Sequence, residues 1–176
     1  MKSRVTMVLL AVGIALAASA ATAVPAAAAV SGSETVSGRL VTSGVSGTRT
    51  TISTVAVAKG VFNGVGRIVE LPPQPGDPAN VSRDDLVYPE GTMHLINTTV
   101  GVSPPTLNPS RLFRVTLQED SQITGGTGLF ANASGTFTGT ISPQGLFPRN
   151  PDGSCAVGQP SLHEVDMVAF SGTLSF

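Results

Sequence analysis

The sequence predicts an all-β protein: eight antiparallel strands closing into a β-barrel. Three observations predict it. From Ser31 onward the chain is rich in Val, Thr, Ser and Gly and shows no helical period. Apolar and polar residues alternate in short runs punctuated by Gly, Pro and Asn, the pattern of half-buried strands. Candidate strands also stand at both ends of this region with no helix to cover an edge, and closing the sheet satisfies both ends. Two packed sheets, a β-sandwich, is the rival arrangement for the same strand count.

Residues 1–29 read as a secretory signal peptide. Lys2 and Arg4 precede an apolar run from Val5 to Val24, and Ala27-Ala28-Ala29 supplies the small residues of a cleavage site. The run is nearly long enough to span a membrane, but its alanines favour cleavage over anchoring. No cysteine follows it, which excludes a lipoprotein anchor. The expectation is a secreted, extracellular domain over residues 30–176, with no membrane anchor after cleavage. The alanine-rich leader has a bacterial character, so the sequons at Asn80, Asn97 and Asn132 read as chance matches.

The whole chain has 10 basic and 11 acidic residues. Without Lys2 and Arg4 the balance falls to about −3, and the charges are scattered. With no basic run, nucleic acid is not an expected partner. Trp is absent and Tyr88 is the single tyrosine, which argues against an aromatic platform for sugars. Cys155 is the single cysteine, so no internal disulfide forms; its loop setting, Asn150-Pro-Asp-Gly-Ser-Cys155, favours an inert thiol.

The strands follow in order. The first two are expected at Glu34–Ser43 and Arg49–Ala58, joined by Gly44-Val-Ser-Gly-Thr48. The third, Val61–Leu71, carries Gly64 and Gly66 on the face of Phe62 and Ile68, where glycine marks close packing. Pro72–Pro78 interrupts any ladder and forms a rim loop. Asp85–Tyr88 is a weak fourth strand and Thr92–Val100 a stronger fifth. A proline loop leads to the sixth, Arg111–Asp120; the seventh is Ser134–Ser142 and the eighth Glu164–Phe176.

Between the sixth and seventh strands, Gly125, Gly126 and Gly128 mark a tight reversal that needs positive φ. Asn132 suits a second left-handed position, and Phe130, Ala131 and Ala133 turn the connection back onto the body. A phosphate cradle is excluded: the GxxxxGK[ST] lysine is missing and no helix follows.

Gly125-Gly126-Thr127-Gly128-Leu129-Phe130-Ala131, followed by Gly135-Thr136-Phe137, resembles the GGTG-x-F-A segment of allene oxide cyclase-like and dirigent-like barrels. The match covers residues 123–140; Leu129 and Asn132 depart from the basic residue and glycine found in many such segments. The resemblance implies a calycin-like, eight-stranded antiparallel barrel, a trimer if the chain forms a homo-oligomer, and an interior that binds or cyclises apolar small molecules. No catalytic residue of that family maps onto a matching motif here.

Candidate site residues come from the alternation. Phe113, Val115, Leu117 and Glu119 share a face, which would place a carboxylate at the end of an apolar stripe, its pKa raised by desolvation. Solvation at a strand end is the plainer reading of Glu119. Phe137 and Phe170 join the expected cavity lining. Glu164 and Asp166 lie on one face about 7 Å apart, close enough to perturb one another in a pocket, or else forming a charged rim. His94 and His163 lack ligand spacing, so no metal and no cofactor is expected. Arg67 reads as a surface residue. GxSxG, HExxH and CxxC are absent.

The leading expectation is a non-catalytic secreted barrel holding a small apolar molecule. An isomerase or cyclase of an apolar substrate, with Glu119 assisting, is the second. The third is a structural or interaction protein of the cell surface with a filled barrel.

Overall fold

The computed structural model describes residues 29–45 and 47–176. The expected leader, apart from its last residue, lies outside the described residues. The strands are β1 (Ser31–Ser43), β2 (Thr50–Gly60), β3 (Gly64–Leu71), β4 (Val81–Tyr88), β5 (Gly91–Val102), β6 (Thr106–Leu107), β7 (Leu112–Arg114), β8 (Leu117–Gly126), β9 (Ser134–Leu146) and β10 (His163–Ser175). Eight of them form one antiparallel ring in the order β10-β1-β2-β3-β4-β5-β8-β9, and β9 pairs with β10 to close it. A single closed sheet replaces the rival sandwich, and the eight long strands leave no free edge. The two short strands β6 and β7 form a hairpin that extends β9 beyond the ring.

Period-two alternation decides which side chains enter the barrel. On β1, Val36 and Leu40 are buried while Ser37 and Arg39 between them are exposed; on β5, Met93, Leu95 and Asn97 are buried. Gly66 shares the inward face of Ile68, where a Cβ would collide with the Val87 carbonyl oxygen and stand 2.7 Å from the Tyr88 ring.

The observed strands depart from the expected ones at three places. β4 begins at Val81, bringing Asp84 into the wall. Val61, Phe62 and Asn63 form the turn between β2 and β3, because buried Glu34 accepts the Phe62 amide at 2.9 Å and holds the chain there. The expected sixth strand is divided into β7 and β8. Both pieces pair with β9 in one continuous register, Leu112–Arg114 against Leu146–Gln144 and Leu117–Ile123 against Ile141–Gly135. Pro143 lies opposite the gap and has no amide hydrogen to give; its carbonyl accepts from Val115 at 3.1 Å instead.

β8 then continues to Gly126, so the reversal is shorter than its glycines suggest. Gly125 and Gly128 take positive φ, 111° and 57°, and a one-turn 3-10 helix spans Gly128–Phe130. Asn132 does not adopt the left-handed conformation. Among the described non-glycine residues Arg111 does, with φ 70°, at the entry to β7.

The two ends of the barrel differ. At one, Phe130 is fully buried and meets the edges of Phe62 and Phe176 at ring-centre distances of 5.0 and 5.7 Å, while Phe62 meets Tyr88 at 5.0 Å. This aromatic plug, with Met93 and Leu174, closes that end. At the other end the inward positions are acidic, and the interior is open.

Candidate binding site

Strand register builds the open end. Glu70 on β3 stands opposite Asp84 on β4, and Thr99 on β5 opposite Glu119 on β8. Asp166 and Glu164 on β10 pair with Leu40 and Thr42 of β1. Three of the carboxylates continue inward-facing series that are apolar deeper in the wall, with Ile68 before Glu70, Leu86 after Asp84 and Val168 after Asp166. The alternation that fills the core therefore delivers a ring of carboxylates where the barrel meets water.

Beneath the ring lies a throat of about 90 Å³, walled by Leu40, Ile68, Leu86, Phe137, Val168 and Phe170 among others. Asn97 and Ser121 are the uncharged polar groups on its wall. Above it is a bowl of about 390 Å³. Glu70, Asp84, Ile141 and Asp166 line both, so the bowl opens onto the throat.

Arg49, just before β2, is the cation of this mouth. Its Nη1 donates to both oxygens of Glu70 at 2.8 Å, its Nη2 donates to Asp166 Oδ2 at 3.2 Å, and its Nε lies 3.7 Å from Glu164. Burial disfavours the charge, but the Glu70 hydrogen bond and the surrounding carboxylates outweigh it and raise the Arg49 pKa. Arg83, on the bowl's edge, is engaged by Asp77 of the rim loop through two hydrogen bonds of 2.9 Å.

The carboxylates are perturbed. Burial, with the charges of Glu70 and Glu119, pushes Asp84 up to about 7 against the opposing hydrogen bond from Asn97, which donates at 2.6 Å. Burial, the neighbouring Glu164 charge and a hydrogen bond that protonated Asp166 shares with Glu164 push Asp166 up to about 7, with Arg49 opposing. Burial raises Glu119, while the Thr99 hydroxyl, donating at 3.2 Å, works the other way. Asp166 and Glu119 are only 5% and 4% exposed, and Asp166 Oδ1 and Glu119 Oε2 have no hydrogen-bond partner among the described residues. Such a mouth can exchange protons near neutral pH and accept hydrogen bonds from a guest.

The residues expected from sequence divide. Phe137 and Phe170 line the throat, Leu117 and Glu119 line the bowl, and Glu164 and Asp166 stand together at the mouth. Phe113 lies on the overhang and stacks on Phe147 at 4.5 Å; half-buried Val115 lies on the same overhang. Neither lines the throat or the bowl, because the paired wall of β5 and β8 ends at Val102 and Leu117. His94 faces outward, with Nδ1 2.6 Å from Asp85; Arg67 and His163 are exposed. Cys155 is a half-buried free thiol in the loop after β9. Among the described residues no group of three or more His, Cys, Asp or Glu is arranged to hold a metal ion, and no helix is long and apolar enough to cross a membrane.

Sequence reading missed Arg49, Glu70, Asp84 and Asn97 as members of the site. A signal existed for three of them, since each stands two residues from an inward apolar position: Glu70 from Ile68, Asp84 from Leu86 and Asn97 from Leu95. Arg49 precedes its strand, and no alternation points to it. No family model, curated protein or solved structure matches the chain.

Proposed function

We propose that the protein is a secreted, non-catalytic carrier that holds a small apolar molecule inside its barrel. The observation that carries this reading is the apolar throat reached through the bowl at one end, while the aromatic plug shuts the other. Small-molecule sites combine apolar walls with a few convergent polar groups, and this mouth supplies both. The resemblance of residues 123–140 to allene oxide cyclase-like and dirigent-like barrels supports the same class of guest, and the leader-like segment supports export. The test is a titration with 1-octanol followed by methyl NMR. Specific, saturable shifts at Leu40, Ile68 and Leu86 are expected; shifts confined to exposed Val65 or Val100 would contradict the reading.

A second reading is an isomerase or cyclase acting on such a guest. It is favoured by Asp84 and Asp166, both poised near 7, and by the unpartnered oxygen of buried Glu119. Glu119→Gln distinguishes the two: it abolishes turnover of any substrate found if Glu119 moves the proton, and unchanged turnover removes that role.

A further inference from the structure

We propose that the guest is an amphiphilic amine, its apolar chain in the throat and its ammonium group among the carboxylates of the mouth. This rests on the apolar-guest reading and specifies the head group.

The first argument is charge. Glu70, Asp84, Glu119, Glu164 and Asp166 line the bowl, and Arg49 is the one cation facing them that is not committed to the rim loop, among the described residues. A carboxylate or phosphate head would enter against this field, whereas an ammonium would relieve it.

The second argument is hydrogen bonding and is independent of the first. When ionised, Asp166 Oδ1 and Glu119 Oε2 are buried, accept no hydrogen bond from the described residues and belong to side chains that line the bowl. Unmade bonds of this kind are costly, and a group with three N–H donors is suited to them. A bare metal ion is a poorer fit, because no three potential ligands are suitably arranged among the described residues. The throat's volume of about 90 Å³ selects a slim chain over a fused ring system.

A pH dependence follows. Asp166 faces Arg49 before β2, Glu70 on β3 and Glu164 on its own strand, while Asp84 feels Glu70, Glu119 on β8 and Asp85 on its own strand. The mouth positions contributed by β5, β1 and β9 are Asn97 and Thr99, Thr42, and Ile141 and Pro143, none of them titratable. An ammonium draws the protonated carboxyls into their ionised form, so binding releases protons and strengthens from pH 5.5 to 8. An alkylamine stays charged throughout, its ammonium titrating near ~10.4 like a lysine.

The test compares n-octylammonium, 1-octanol and octanoate on the purified protein by calorimetry at low salt, with methyl NMR to locate them. Octylammonium is expected to bind at least about tenfold tighter than octanol, a difference of ~1.4 kcal/mol, with octanoate weakest. Glu119→Gln and Asp166→Asn are each expected to narrow the gap between octylammonium and octanol. Equal affinity for octanol and octylammonium, or a preference for octanoate, overturns the amine assignment and leaves the apolar-guest reading standing. Failure of all three to bind the unmodified protein removes that reading itself. A gap unchanged in both variants overturns the role given to these carboxylates. If a variant does not fold, the comparison on the unmodified protein decides alone.

Discussion

Arg49 Nη2 donates to one oxygen of Asp166 at 3.2 Å and leaves the other, Oδ1, without a partner at the lip of the throat. A bidentate Arg–carboxylate pair would satisfy both oxygens. Arg49 instead aims one nitrogen, Nη1, at both oxygens of Glu70 and reaches Asp166 with Nη2 alone. Asp166 is thus held in place but incompletely satisfied, and its pKa follows burial and Glu164 more than the arginine.

Stability should fall as pH rises toward neutrality. Unfolded aspartate ionises near ~3.9, whereas Asp84 and Asp166 ionise at about 7 in the folded protein. Between these values the folded state binds more protons, so their contribution is complete below pH ~4 and is lost as pH climbs through 7. Asp84→Asn removes one such group. It is expected to raise stability at pH 8 by about 1–2 kcal/mol, less than the full shift because the mouth is partly solvated, and to change little at pH 4. Thermal melts of both proteins across this range check the sign.

Phe130→Ala should be among the most damaging single substitutions. The ring is fully buried and touches Phe62, Tyr88 and Phe176, so its loss opens a cavity in the plug. The expected cost is about 3–5 kcal/mol by denaturant unfolding. Leu129→Ala, one residue away and exposed, should cost within about 0.5 kcal/mol.

Tyr88 offers a clean optical test of the plug. Burial, with the negative charge of Glu34, raises its phenol above the ordinary value of 10.0. The folded state therefore holds this proton more tightly than the unfolded chain, and the stability it contributes is lost as pH rises through the folded pKa. Because the chain has one tyrosine and no tryptophan, absorbance near 295 nm reports this group alone. No tyrosinate should appear at pH 10–11 until the protein unfolds; a simple titration near 10 would show that the phenol is solvated.

The fold was legible because alternation and turn chemistry agree along most of the chain. The inward faces of β9 and β10, with Phe137 and Phe170, follow directly from period two. Alternation reports which face a residue takes but not its height along the barrel. Phe113 and Glu119 lie along one register against β9, yet only Glu119 lies where the ring is complete. The height is set by Pro143 and by where β5 stops pairing, both remote in sequence from Phe113. Asp84 was hidden because a strand expected to start at Asp85 excludes it. Arg49 was hidden because its role arises from carboxylates on two distant strands.

Xenon bound in a crystal under pressure tests most directly whether the barrel is hollow beneath its acidic end, since the apolar walls of a hollow take up this gas. One site is expected in the throat, between Leu40, Ile68, Leu86 and Phe137. An interior without xenon, its side chains closed over that space, would contradict the proposed guest and leave only the barrel.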